Sequence, residues 1–132
     1  MITGINHITL AVSNLEQSLQ FYTKTLGLTG HMKWDNGAYL SAGDLWLCLS
    51  CDDPCPKDDY SHLAFNISPD NFATFSSQLK SHGVKLWREN KSEGKSLYIL
   101  DPDGHKLELH TGDLKSRLES VRSRPYSGVV WL

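Results

Sequence analysis

Residues 100–110 read LDPDGHKLELH, and Asp101, Asp103, His105, Glu108 and His110 crowd this otherwise apolar segment. Glu108 stands between Leu107 and Leu109. A carboxylate there lies on a solvated face or is held inside by a cation, because an unpaired buried charge is costly. Two imidazoles, His7 and His62, stand in comparable apolar segments, NHITLAV and SHLAFNI. Two imidazoles and one carboxylate suit a divalent manganese, iron or zinc ion with positions left open for substrate. Cys48, Cys51 and Cys55 offer a competing thiolate set. Cys48, however, belongs to the alternating run LWLCLS, and the other two fall in a loop with Pro54 and Pro56, so we read one strand cysteine and two incidental loop thiols.

The elements that must position these groups follow from periodicity. Residues 5–12 (INHITLAV) alternate as a strand, with His7 and Thr9 on one face and Ile8, Leu10 and Val12 on the other. Ser13 with Glu16 reads as a capping box. Leu15, Leu19, Tyr22 and Leu26 then recur at helical spacing, up to Gly27. Strands follow at AYLSAG and LWLCLS, joined by a turn at Gly43-Asp44. The pattern restarts at 60–67, with His62, Ala64 and Asn66 on one face. Ser68-Pro69 opens a second helix, striped by Phe72, Phe75 and Leu79 and ended by Gly83. Strands are expected at about 84–88, 96–100 and 105–110, the last two joined by the DPDG turn. Leu114, Leu118 and Val121 predict a C-terminal helix before the tail.

This is an internal repeat, in which His7 matches His62 and Gly27 matches Gly83. Each copy, about 1–55 and 56–110, reads βαβββ, so we expect an α+β fold in which residues 1–132 form one domain. The first-copy counterpart of Glu108 falls near Trp46 to Cys48, where there is no carboxylate. Three ligands rather than four leave room for substrate and favour chemistry over a structural metal. The net charge of -2 gives no reason to expect nucleic acid or an anionic membrane as partner, and no apolar run is long enough to span one. The expected location is the cytoplasm.

The segments GINHITLAVSNLEQSLQFY, WDNGAYLSAGDLWLCLS, DYSHLAF, NKSEGKSLYILDPDGHKLELHTGDLKSRL and RPYSG resemble the vicinal oxygen chelate superfamily. Their finer resemblance is to the fosfomycin resistance glutathione transferases of the FosA type. That resemblance implies a homodimer with modules paired across chains. It implies a Mn(II) site made of His7, His62 and Glu108, with His7 from one chain and the other two from its partner. Fosfomycin and glutathione are the implied substrates, the thiolate opening the drug's epoxide. Thr9, Arg88, Ser92, Tyr98 and Arg117 are the implied phosphonate contacts, with Arg88 standing where the family usually has lysine. Trp46 is the implied pocket wall and Tyr39 the group that helps generate the thiolate. The loop NKSEGKS would hold a potassium ion through Asn90, Ser92, Gly94 and Ser96.

Other readings remain open at the level of sequence. A hydrolase branch opens the same epoxide with water and a carboxylate, for which Asp44 is the candidate, although aspartate is an ordinary turn residue. A glyoxalase would normally carry a fourth protein ligand. An extradiol dioxygenase shares the two-histidine, one-glutamate set but not the phosphonate-type loop. A metal-free drug-binding protein of the bleomycin-resistance kind would leave His7, His62 and Glu108 unexplained.

Overall fold

A computed structural model describes all residues, 1–132. The chain adopts the α+β class, and its two copies of βαβββ are followed by a C-terminal helix. It divides into two compact units. One comprises Met1–His62 with Leu100–Lys106, the other Leu63–Ile99 with Leu107–Leu132.

The first unit holds strands β1 (His7–Val12), β2 (Thr29–Trp34), β3 (Gly37–Ala42) and β4 (Leu45–Cys51), in the sheet order β1-β4-β3-β2. β1 runs parallel to β4, with His7 opposite Trp46 and Thr9 opposite Cys48. β3 is antiparallel to β4, and Tyr39 also faces Cys48. One face of this sheet carries Val12, Ala38, Leu40, Leu47 and Leu49, all fully buried. Each large aliphatic side chain buried in this way contributes about 1.5–3 kcal/mol. Helix α1 (Leu15–Gln20) packs against β3 and β4 and runs on into a π-helical turn over Phe21–Thr25. Its cap is Asn14, whose side chain accepts from the Gln17 N–H, and not Ser13 as the capping-box pattern suggested.

Ser13 is taken by another task. Its hydroxyl donates to Asp103 at 2.5 Å, and the Tyr22 hydroxyl donates to Asp101 at 2.6 Å. His105 Nε2 lies 2.7 Å from the Ala11 carbonyl, so it donates there. The DPDG turn is thereby tied to β1 and α1 within this unit. Burial, and then the charge of Asp101, raise the Tyr22 phenol far above the ordinary tyrosine range.

The second unit repeats the topology. Strands β5 (Leu63–Asn66), β6 (Leu86–Arg88), β7 (Ser96–Leu100) and β8 (Lys106–His110) take the order β5-β8-β7-β6. Phe65, Leu97, Ile99, Leu107 and Leu109 form its apolar layer. Helix α2 (Pro69–Ser81) starts at the expected proline and buries Leu79 and Ser76. Gly83 follows it at φ +77°, a left-handed conformation that glycine adopts without steric cost. Helix α3 (Leu114–Ser123) is capped by Asp113, which accepts from the Ser116 N–H, while Ser116 Oγ accepts from the Asp113 N–H. Val121 is buried there, but Leu114 and Leu118 of the expected apolar stripe are exposed.

β2 was not individually legible. All six of its residues are exposed, and TGHMKW shows no period-2 alternation, because it is an edge strand with no buried face to impose one. The strand expected over 60–67 is shorter, so His62 precedes β5 instead of lying within it. Cys51 closes β4 rather than sitting in the loop, whereas Cys55 is in the loop as expected.

Candidate active site

In the first sheet, alternation sends His7, Thr9, Trp46, Cys48 and Tyr39 to the face opposite the apolar layer. His7 and Trp46 stack with ring centroids 4.5 Å apart. Tyr39 meets the Trp46 ring edge-on at 5.2 Å, and Trp34 meets Tyr39 at 5.0 Å. A continuous aromatic wall thus crosses this face from the edge strand to His7. Gly37, opposite Trp34, permits that wall. A Cβ there would come within 2.6 Å of both the Trp34 ring and the Leu49 carbonyl.

Both candidate histidine ligands are oriented by their neighbours. His62 Nδ1 lies 2.7 Å from the Tyr60 carbonyl, which can only accept, so Nδ1 carries a proton and the lone pair of the neutral ring is on Nε2. His7 Nδ1 lies 2.7 Å from Asn6 Oδ1, which selects the same tautomer. This is the arrangement that prepares an imidazole for a metal, because a hydrogen bond from one ring nitrogen fixes ring orientation and basicity at the other. Asn6 was not picked out by sequence reasoning, since an asparagine beside a histidine carries no periodic signal.

In the second sheet Glu108 is buried, 7% exposed, with Ala64 opposite it on β5. The Ser96 hydroxyl donates to Glu108 Oε2 at 2.7 Å and stands 2.6 Å from His110 Nδ1. Glu108 is therefore an interior carboxylate, supported by polar neighbours. Tyr98 is buried beside it on β7, with Arg88 opposite on β6 and the guanidinium 5.8 Å from the Tyr98 ring centre.

The 90–96 loop is drawn together by its own side chains. Asn90 donates to the Gly94 carbonyl at 2.7 Å, and Ser92 donates to Asn90 Oδ1 through both N–H and hydroxyl. Arg117, on α3, holds this loop through Glu93, with Nε 3.2 Å from Oε2 and Nη2 3.4 Å from the carbonyl. Burial works against the charge of Arg117. The hydrogen bond to Glu93 and the nearness of Tyr126 outweigh it, so the guanidinium pKa is raised. Glu93 was also missed from sequence, where it reads as one more polar loop residue. Asp44 occupies the two-residue β3–β4 turn beside Gly43, the ordinary turn position for aspartate.

The structure thus brings His7, Thr9, Tyr39 and Trp46 to one face of one sheet, and Glu108, Ser96, Tyr98 and Arg88 to one face of the other. No three His, Cys, Asp or Glu side chains form a metal-holding group within the single chain.

Residues 4–109 match the family model of the Glyoxalase/Bleomycin resistance protein/Dioxygenase superfamily. The chain is 50% identical to a "Glutathione transferase FosA" of Serratia marcescens, over 99% of this chain and 96% of that protein. It is 40% identical to a "Metallothiol transferase FosB" of Staphylococcus haemolyticus, over 89% and 90% of the two chains. The crystal structure of the fosfomycin resistance protein FosX from Listeria monocytogenes, complexed with Mn(II) and sulfate, superposes with a TM-score of 0.81 at 30% identity, covering 91% of this chain and 98% of that one. Fold, near full-length identity and the paired modules together place this chain in the Glyoxalase/Bleomycin resistance protein/Dioxygenase superfamily, as a member of its FosA-type fosfomycin resistance branch.

Proposed function

We propose that the protein is a metal-dependent glutathione transferase that inactivates fosfomycin by opening its epoxide. The observation that carries this reading is the 50% identity to the Serratia glutathione transferase across nearly the whole of both chains. The Nε2 lone pairs of His7 and His62 and the buried carboxylate of Glu108 form a donor set that fits a divalent ion. Mn(II) is the metal we assign, on the strength of its presence in the FosX relative. When bound, it supplies Lewis acidity for the charge that develops on the epoxide oxygen.

The chain's own residues do the rest. His62 and Glu108 come from one chain and His7 from a second copy in a homodimer, each chain acting as one domain of two βαβββ modules with a C-terminal helix and tail. Thr9, Arg88, Ser92, Tyr98 and Arg117 bind the phosphonate, whose several acceptor oxygens favour cationic and hydroxyl donors. Arginine at 88 offers a planar fork in place of a point charge, which suits two phosphonate oxygens at once. Trp46 walls the pocket. Tyr39 Oη stands by the glutathione sulfur and helps keep it as thiolate. The sulfur attacks an epoxide carbon, the C–S bond forms as the C–O bond breaks, and the released alkoxide takes up the proton that the thiol gave away.

The 90–96 loop is the proposed potassium site. Its hydrogen bonds gather oxygens of Asn90, Ser92 and Gly94. The Ser96 hydroxyl is engaged with Glu108, so Ser96 would contribute through its main chain. A cation there adds positive field beside an anionic substrate. Three free cysteines are in keeping with a reducing, cytoplasmic setting.

Product analysis by mass spectrometry tests the proposal. The protein is incubated with fosfomycin and Mn(II), with glutathione or with water alone. A glutathione adduct formed only with thiol and metal is the expected result. A diol forming without thiol, at a rate matching the glutathione reaction, would make the enzyme a hydrolase instead.

A further inference from the structure

We propose that His110 is a positioning residue for Glu108, acting through the Ser96 hydroxyl to fix the carboxylate in the orientation that binds the divalent ion. The inference rests on the reading of Glu108 as a ligand.

With Glu108 ionised, as a metal ligand must be, the bonds run in one direction. An ionised carboxylate only accepts, so the single Ser96 hydroxyl proton goes to Glu108 Oε2, 2.7 Å away. The Ser96 oxygen then accepts from His110 Nδ1, 2.6 Å away. His110 Nδ1 is 3.4 Å from the same carboxylate oxygen, so Ser96 provides the shorter route between them. The ring is built in place. A Cβ at Gly94 would sit 3.0 Å from His110 Cε1, and one at Gly112 would sit 2.7 Å from Nε2, so the ring fits between two bare backbones. The backbone beneath is fixed as well, since His110 lies opposite Asn66 on β5 and its carbonyl accepts from the Ile67 N–H at 3.1 Å. The expected potassium role of Ser96 does not account for this arrangement.

Losing the Nδ1 donor frees the serine hydroxyl to rotate and releases the carboxylate from one orientation. Groups that orient a metal ligand from behind typically change affinity by about 10–100-fold when removed. The test is equilibrium Mn(II) binding, followed by the electron paramagnetic resonance signal of the free ion, which does not depend on turnover. His110→Asn places an amide N–H near the Nδ1 position, whereas His110→Gln carries it one bond farther out. We expect Asn to keep affinity within about threefold, and Gln and Ser96→Ala each to weaken it by about 10–100-fold. The Ser96→Ala/His110→Gln double variant should be no weaker than the worse single variant, because both break one chain of bonds. Equal affinities for His110→Asn and His110→Gln would overturn the proposal, whether both are native-like or both weakened. Should the histidine variants not fold, unchanged affinity in Ser96→Ala overturns it instead. Glu108→Gln separates the two levels of inference. Unchanged affinity there removes Glu108 from the ligand set, whereas loss there with native affinity in His110→Gln sinks the relay alone.

Discussion

Tyr22→Phe removes one oxygen atom and isolates one interaction. The Tyr22 side chain is fully buried and its hydroxyl donates to Asp101 Oδ2 at 2.6 Å. Asp101 is 5% exposed, so water is poorly placed to replace that donor. The other carboxylate oxygen keeps the N–H groups of Asp103 and His105, at 3.0 and 2.8 Å. Phenylalanine preserves the ring, so the loss is one hydrogen bond to a charged acceptor, about 1.5–3 kcal/mol. In urea unfolding at pH 7 and fixed protein concentration, stability should fall by about 2 kcal/mol, equivalent to a Tm about 6–10 °C lower for a chain of this size. The pH dependence gives a second readout. The folded-state pKa of Tyr22 is raised, so below the ordinary value of about 10 the phenol is protonated in both states and the advantage over Tyr22→Phe is complete. Above it the unfolded chain loses that proton while the folded chain keeps it, so the advantage shrinks by up to about 1.4 kcal/mol per pH unit. The other tyrosines are common to both proteins, so their contributions cancel in the difference. A stability difference under about 0.5 kcal/mol at pH 7, or a gap that widens above pH 10, would refute this reasoning.

Ser76→Ala should stabilise the protein by about 1 kcal/mol in the same assay, because Ser76 Oγ is buried in α2 with no hydrogen-bond partner and alanine is the better helix former. Mixing and refolding inactive His7→Ala and His62→Ala proteins should restore activity, since a mixed dimer holds one site with both histidines; silence despite mixed dimers shown by native mass spectrometry would assign both ligands to one chain. Tyr39→Phe should slow adduct formation while fosfomycin binding persists, and the deficit should shrink as pH approaches a free thiol's pKa of about 8.5. A deficit independent of pH would leave Tyr39 as pocket wall only.

The fold was legible where burial imposes a period. NHITLAV, LWLCLS and KLELH alternate because one face of each strand carries the apolar layer, and the repeat followed from those runs. Exposed β2 has no such constraint and left no pattern. The cap of α1 was read one residue early because Ser13 and Asn14 are both good cap formers, and only the tertiary bond from Ser13 to Asp103 decides between them. The site followed the same rule. His7, His62 and Glu108 stand out as candidates because a polar residue in an apolar segment demands a reason. Asn6, Glu93 and the Ser96–His110 pair were not, because their significance lies in whom they touch across the fold.

The two copies have diverged at the position that matters most. Aligning His7 with His62 places Thr9 with Ala64, and the strand registers then place Cys48 where the second copy has Glu108. Ser50 likewise falls where the second copy has His110. Glu108 is tolerated in the interior because Ser96 and His110 stand behind it. Cys48 is equally buried, but its cross-strand neighbours are Thr9 and Tyr39, and Tyr39 is committed edge-on to Trp34 and Trp46. A carboxylate at position 48 would have no comparable support and would cost several kcal/mol as an unpaired buried charge. The first sheet has accordingly become an aromatic wall ending in one imidazole, and the second a polar scaffold for a carboxylate. In the proposed centre that division of labour supplies three protein ligands, and the positions they leave open would be available to a substrate's oxygens.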